Sequence, residues 1–267
     1  MDHQKQMNDQ AFATAFSDAA EEYDRGRPGY PKKAIDWLVG ELGLKRGSVV
    51  VDLAAGTGKL TAALTARFAR VIAVEPLDEM RDHLNRTAPA AEALKGTAES
   101  IPLPDASADA VFVAQAFHWF DGRRALDEIA RVLSSSGGLA LLWNTTPWEL
   151  REGTWFARLD DLLERSRADL STMRRHASGV WRKAFAGEER FSPLAEARFD
   201  NIQRMSRLAF LAGLASRSYI ARLSPSDRRG LLDQVSDLLD QPEAPIEDNR
   251  VIVPMRTAAY WCRLRDA

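Results

Sequence analysis

Two carboxylates, Asp52 and Glu75, stand 23 residues apart, and each closes a run of apolar, mostly β-branched residues. Val49-Val50-Val51 precedes the first and Val71-Ile72-Ala73-Val74 the second. Such runs read as strands buried on both faces, which puts each acid at a strand's carboxyl end. After Asp52 come Leu53-Ala54-Ala55-Gly56-Thr57-Gly58-Lys59, then an apolar stripe at Leu60, Leu64 and Phe68. That is a strand, a tight small-residue loop and a helix, the opening half of a βαβ unit. Gly56 and Gly58 permit torsions and close approaches that a Cβ would block, so a ligand can lie against main chain here.

Physical chemistry separates three ligands for this loop. A phosphate-cradling loop needs a glycine separated by four residues from Gly58-Lys59, and a hydroxyl after that pair. Leu53 and Leu60 stand there instead. A dinucleotide fingerprint needs a third small residue where Thr61 stands, and Asp52 opposes it as well. A fixed carboxylate about 6 Å from a pyrophosphate costs on the order of 3 kcal/mol per charge at an effective dielectric near 20. Beside a sulfonium or ammonium the same charge attracts. Glu75 stands where a nucleoside site places the acid that accepts both ribose hydroxyls. Such charge-assisted bonds contribute roughly 1.5–3 kcal/mol each. Glu75 alone serves a nicotinamide dinucleotide or S-adenosylmethionine (SAM) equally, whereas Glu75 with Asp52 selects SAM.

Asp52 through Gly58, Glu75, Gly96-Thr97-Ala98-Glu99-Ser100-Ile101-Pro102-Leu103-Pro104 and Ala116-Phe117-His118-Trp119-Phe120-Asp121 together resemble the class I SAM-dependent methyltransferases. More narrowly they are similar to the type 11 group and the relatives of trans-aconitate methyltransferase. The resemblance is close over residues 10–145 and looser beyond. It implies a Rossmann-like α/β fold: a seven-stranded, mostly parallel sheet with an antiparallel last strand, helices on both faces and a helical cap. It implies cofactor contacts at Asp52, Ala54, Gly56, Gly58, Glu75, Pro76, Met80, Thr97, Ala98, Glu99, Gln115, Ala116 and Trp119. Tyr23 and Arg27, before an Arg-Pro-Gly-Tyr-Pro turn, would form a lid toward the methionine end. Two positions depart from the pattern. Ala54 replaces the first glycine, which a negative φ would accommodate, and Thr97 replaces the usual adenine-binding acid, leaving that contact to Thr97 or Glu99.

The loop after the fourth strand faces the reacting methyl in this architecture. His118 is its titratable residue and the candidate catalytic base; a packed, hydrogen-bonded ring is the alternative. His118, Trp119, Arg217 and Tyr219 are the candidates for acceptor recognition. Methyl transfer needs no covalent nucleophile from the enzyme, and a base only where the acceptor must lose a proton. The Asp-Pro-Pro-Tyr type motif of nucleobase methylases is absent. The expected activity is methylation of a small carboxylate, hydroxyl or amine. An NAD-dependent oxidoreductase and a non-catalytic SAM-binding regulator are the alternatives.

Composition agrees. A net charge of −2 gives no footprint for nucleic acid, and 45% apolar residues can bury a sizeable core. One cysteine excludes an internal disulfide, and a polar N-terminus without a long apolar run predicts a cytoplasmic protein with no membrane segment. The chain order predicts a lid segment at 1–30, a SAM-binding core at 31–145, a helical insertion at 146–197, and C-terminal strands with a helical cap at 198–267. Helix caps are predicted at Asp78 and Asp121, and a turn at Gly137-Gly138. The arginines between Arg174 and Arg190 read as a solvated face. A last strand at Arg250–Thr257 would be demoted to an edge or bulged position by Pro254.

Overall fold

The structure, a computed structural model, describes residues 28–145, 154–167, 178–215 and 217–265. These divide into two compact units. One holds 29–145, 178–201 and 256–265, and the other holds 28, 154–167, 202–215 and 217–255.

In the larger unit the alternating strand pattern sets which side chains meet. Helix α1 (Lys32–Glu41) precedes β1 (Val49–Leu53), and α2 (Lys59–Thr65) leads to β2 (Arg70–Val74). Next come α3 (Asp78–Thr87), β3 (Glu92–Leu94), β4 (Ala108–Ala114), α4 (Gly122–Val132) and β5 (Leu133–Thr145). Strands β6 (Ala195–Met205) and β8 (Arg250–Arg263) complete the order β3-β2-β1-β4-β5-β8-β6. The pairs from β3 through β5 are parallel and β8 runs antiparallel to β5. The short β7 (Ile246–Glu247) pairs β8 as an eighth strand. Val50, Phe112 and Leu142 pack against α1 and α2 on one face, while Val51, Val111 and Leu141 pack with α4 on the other. The sheet is thus covered on both sides, as the resemblance implied. Its order reverses between β1 and β4, and the strand ends beside that reversal open a crevice where such sheets bind ligands.

The smaller unit has its own core. Trp155, Leu159 and Leu163 of α5 (Trp155–Arg167) pack with Phe210 and Leu214 of α6 (Arg207–Ala215) and Val235 and Leu238 of α8 (Pro225–Leu239). A single helical turn, α7 (Ser218–Ala221), adjoins them. The Trp155 indole donates to the Leu238 carbonyl at 2.7 Å, and Ser224 caps α8.

Several expectations change. Residues 178–197, expected in the helical insertion, group with the sheet because Trp181 and Phe191 are buried in its core. Arg182 and Arg190 there are not simply solvated, since Arg182 pairs with Glu196 at 2.8 Å and Arg190 with Glu188 at 2.6 Å. Gly137-Gly138 lie within β5 at its register shift, since Ala108 pairs Leu133 and Ala110 pairs Gly138, which leaves Gly137 in the extra stretch between those partners. Pro254 does not send β8 to an edge. The β5 partners are Arg256 to Arg263, so no β5 carbonyl asks for the missing N–H. Helix α3 starts one residue early, with Leu77 at its cap position and Asp78 already in its first turn, whereas Asp121 caps α4 as expected.

Gly138 is small because a Cβ there would lie 2.3 Å from Leu42 Cδ2 and 3.0 Å from the Cys262 carbonyl oxygen. Gly138→Ala is expected to lower stability by about 1–3 kcal/mol through overpacking. Gly40→Ala in α1, where a Cβ meets nothing within 4 Å, is expected to raise it by up to about 1 kcal/mol. Urea unfolding of both variants checks the pair.

Candidate active site

The loop after β1 is tied to β2 by its backbone. Ala55 donates to the Val74 carbonyl at 3.2 Å, and the Gly56 N–H donates to Glu75 Oε2 at 2.9 Å. The other oxygen, Oε1, accepts the Leu77 N–H at 3.1 Å. Glu75 is therefore held rigidly at the end of β2, with one bond to each oxygen. A carboxylate has about four lone-pair sites, so about two remain for further donors.

This route forces left-handed torsions. Gly56 and Gly58 have φ of +56° and +86°. Ala54 has φ of +58°, not the negative value that would have made its substitution for glycine easy. Such a torsion costs a non-glycine residue on the order of 1–2 kcal/mol. The two glycines serve different ends. A Cβ on Gly58 would lie 3.0 Å from Leu84 Cγ, whereas one on Gly56 would stand in open space. Gly58 lets α2 approach α3, and Gly56 leaves bare backbone facing the crevice.

Asp52 is 1% exposed. Thr61 Oγ1 donates to its Oδ2 at 2.6 Å, while Oδ1 has no hydrogen-bond partner among the described residues. Burial, reinforced by the charge of Glu75, pushes its carboxyl up to about 7. An orphaned buried carboxylate oxygen beside a second acid is a site short of positive charge.

Of the residues expected around adenine, Ala98 is buried, Met80 is half-buried, and Pro76 and Thr97 are exposed. Thr97 closes a small bridge with Ser100. Glu99 also has a partner within the fold. Its Oε1 accepts the Asp121 N–H at 2.9 Å and so braces the start of α4. Leu77, 55% exposed beside Glu75, is an apolar surface that the sequence pattern had assigned to a helix face.

At the end of β4, Gln115 has φ of +58°, donates through its side chain to the Asn144 carbonyl at 3.2 Å, and leads through Ala116 into a single turn, Phe117–Trp119. There His118 Nδ1 accepts the Trp143 indole N–H at 3.1 Å, and burial pushes the imidazole down to about 4. His118 lines a cavity of about 450 Å³ together with Phe117, Phe120, Asp121, Arg123 and Lys183. Trp181 also lines it, stacking on Trp143 with ring centres 4.6 Å apart. Trp119 is half exposed and lies 4.9 Å from the imidazole. Sequence reasoning missed the pairing of Trp143 with His118. The one available signal was an indole N–H inside an otherwise apolar strand, which had to find an acceptor.

Tyr23 and Arg27 lie outside the described residues. Arg217 and Tyr219 belong to the smaller unit, where the guanidinium donates to the phenol oxygen at 3.3 Å.

A mostly parallel sheet covered on both faces, with a glycine loop after β1 and a cavity at the end of β4, is a Rossmann-like α/β fold. The profile of a family described as "Methyltransferase domain" matches residues 51–141. An uncharacterized methyltransferase of Mycobacterium tuberculosis is 38% identical over 253 residues, covering 95% of this chain and 97% of its own. One from Schizosaccharomyces pombe is 31% identical over 257 residues, with the same shares. Among solved structures, a protein assigned as a type II methyltransferase from Anaeromyxobacter dehalogenans superposes with a TM-score of 0.60 at 25% identity, covering 90% of this chain and 97% of that one. The chain belongs to the methyltransferase family. The matches establish that level, not a relationship to trans-aconitate methyltransferase in particular.

Asp52 carries a pH signature. It ionises in the unfolded chain from about its ordinary value of 3.8, but in the fold only near 7. The folded state thus binds the extra proton, and stability from this group is lost as pH rises between those values. Relative to the parent, Asp52→Asn is expected to gain on the order of 1 kcal/mol or more at about pH 8 and nothing at about pH 4. Urea unfolding at the two pH values checks it.

Proposed function

We propose that the protein binds S-adenosylmethionine in the crevice between β1, β2 and β4 and transfers its methyl group to a small-molecule acceptor. The observation that carries the reading is the orphaned, buried Asp52 oxygen next to Glu75. A cationic ligand relieves that pair, and a pyrophosphate would aggravate it by on the order of 3 kcal/mol per charge at about 6 Å. The residues present fit the group. Glu75 keeps lone pairs for two ribose hydroxyls, Gly56 offers backbone without a side chain, and Leu77 and Met80 supply an apolar wall for a flat base. Tyr23 and Arg27 remain the lid candidates, with Thr97, Ala98, Gln115, Ala116 and Trp119 as further cofactor contacts. Arg217 and Tyr219 remain candidates for acceptor recognition.

When bound, SAM supplies an activated methyl whose bond to sulfur breaks, the electron pair staying on sulfur, as an acceptor lone pair forms the new bond. The chain's own work is positioning, which can supply roughly 7–11 kcal/mol of the barrier. His118 contributes through its ring. With Nδ1 already accepting from Trp143, the neutral imidazole offers Nε2–H, a donor that orients and stabilises an acceptor oxygen. That role replaces the general base expected from residue type alone.

Glu75→Gln is expected to weaken SAM binding at least about tenfold, or about 1.4 kcal/mol, because an amide N–H would face the Gly56 or Leu77 N–H. Titration calorimetry alongside a thermal melt reads affinity and fold separately, and unchanged affinity would remove the ribose role. Transfer of a labelled methyl separates an enzyme from a SAM-binding regulator. Saturable NADH binding would favour the oxidoreductase instead.

A further inference from the structure

Trp143 is fully buried on β5, and its neighbours fix the plane of its ring. Trp181 stacks on it at 4.6 Å, and Tyr260 meets it edge-on at 5.7 Å. The Arg182 guanidinium sits 4.8 Å from the ring centres of both Trp181 and Tyr260, and Glu196 holds that guanidinium in turn. An indole N–H can only donate. The His118 nitrogen receiving it at 3.1 Å is therefore the unprotonated one, and the neutral ring carries its proton on Nε2. Protonating Nδ1 would set two N–H donors against each other inside the aromatic cluster, a repulsion that burial enlarges.

We propose that Trp143 is a positioning residue that locks His118 as an Nε2–H donor, and that the cavity it serves takes an acceptor whose nucleophilic oxygen is already an anion, as in a carboxylate. This deepens the methyltransferase reading and rests on it for the identity of the reaction. A locked donor can hold and orient an oxyanion, but it cannot take a proton from an alcohol or an ammonium. Asp121, the acid among the described residues of the cavity wall, caps α4, its Oδ1 accepting the Arg124 N–H at 3.4 Å. The cations there are Arg123, 3.6 Å from Glu188, and Lys183. Phe117, Phe120 and Trp181 give the cavity a flat apolar lining that suits a planar body behind the charged group. In such a transfer the new carbon–oxygen bond forms as the carbon–sulfur bond breaks. The oxygen's charge and the sulfonium's charge cancel together, and no proton has to be placed.

The test uses the full chain labelled with ¹⁵N-histidine, the His118 signals being assigned by their loss in His118→Asn. The parent protein at neutral pH is expected to show the Nε2–H tautomer, and Trp143→Phe a mixture containing the Nδ1–H form. An Nδ1–H tautomer or an imidazolium in the parent overturns the lock, and so does an unchanged tautomer in a folded Trp143→Phe. Should that variant fail to fold, the parent spectrum alone decides the lock. Benzoate is expected to move the His118 Nε2 resonance more than aniline does. An equal or larger shift from aniline, or none from benzoate, overturns the anionic class. SAM calorimetry on the same samples keeps the two readings apart. A protein that shows the tautomer but does not bind SAM loses the cofactor reading and keeps the lock, and the reverse result loses the lock alone.

Discussion

Two acids at the ends of adjacent parallel strands, one of them buried with an oxygen that no described residue satisfies, form the constraint on which the site depends. Burying a carboxylate without a partner is costly, and a neighbouring carboxylate makes it costlier. The fold tolerates this because the sheet beneath is rigid and covered on both faces, so the site cannot collapse to relieve it. Under the proposed function, what stability loses there becomes selectivity for a positively charged ligand. Strained or unsatisfied groups that persist in an otherwise well-satisfied core mark functional ground more often than error.

The backbone tells the same story in torsion angles. Ala54, Gly56 and Gly58 after β1, and Gln115 after β4, all adopt positive φ, and all lie at carboxyl ends of the two strands flanking the sheet's reversal. Strain of this kind is kept where surrounding structure over-determines the conformation. Here the determinants are visible: Val74 and Glu75 hold the first loop, and Leu142 and Asn144 hold the second. The same ends that carry the strain also carry Asp52, Glu75 and the turn with His118. Bare backbone and chemistry-bearing side chains are thereby brought to one edge of the sheet.

The aromatic residues around His118 act differently from the wall of stacked rings that composition alone suggested. Phe117 is core, packed against Phe120, Phe185 and Trp181. Trp143 and Trp181 are structural as rings, but Trp143 is chemical through its one N–H. Residues 178–191, which reached the sheet unexpectedly, line the cavity through Val180, Trp181, Lys183 and Ala184, and Arg182 packs on the ring of Trp181. The cavity at His118 is thus a product of two chain segments distant in sequence.

The strand–loop–helix at Asp52, the second acid-tipped strand and the Asp121 cap were all legible in the sequence. Each depends on spacing along a few residues, and hydrophobic period and turn chemistry are local properties. The positive φ of Ala54, the bracing of α4 by Glu99, the place of Gly138 against Leu42 and the freedom of Pro254 inside an interior strand were decided by neighbours far along the chain. So was the tautomer of His118, set by an indole 25 residues away. A sequence fixes which groups can donate, accept or ionise, but a partner is chosen only when strands register and faces pack. Until then a histidine beside three aromatics is equally a base, a donor or a piece of wall.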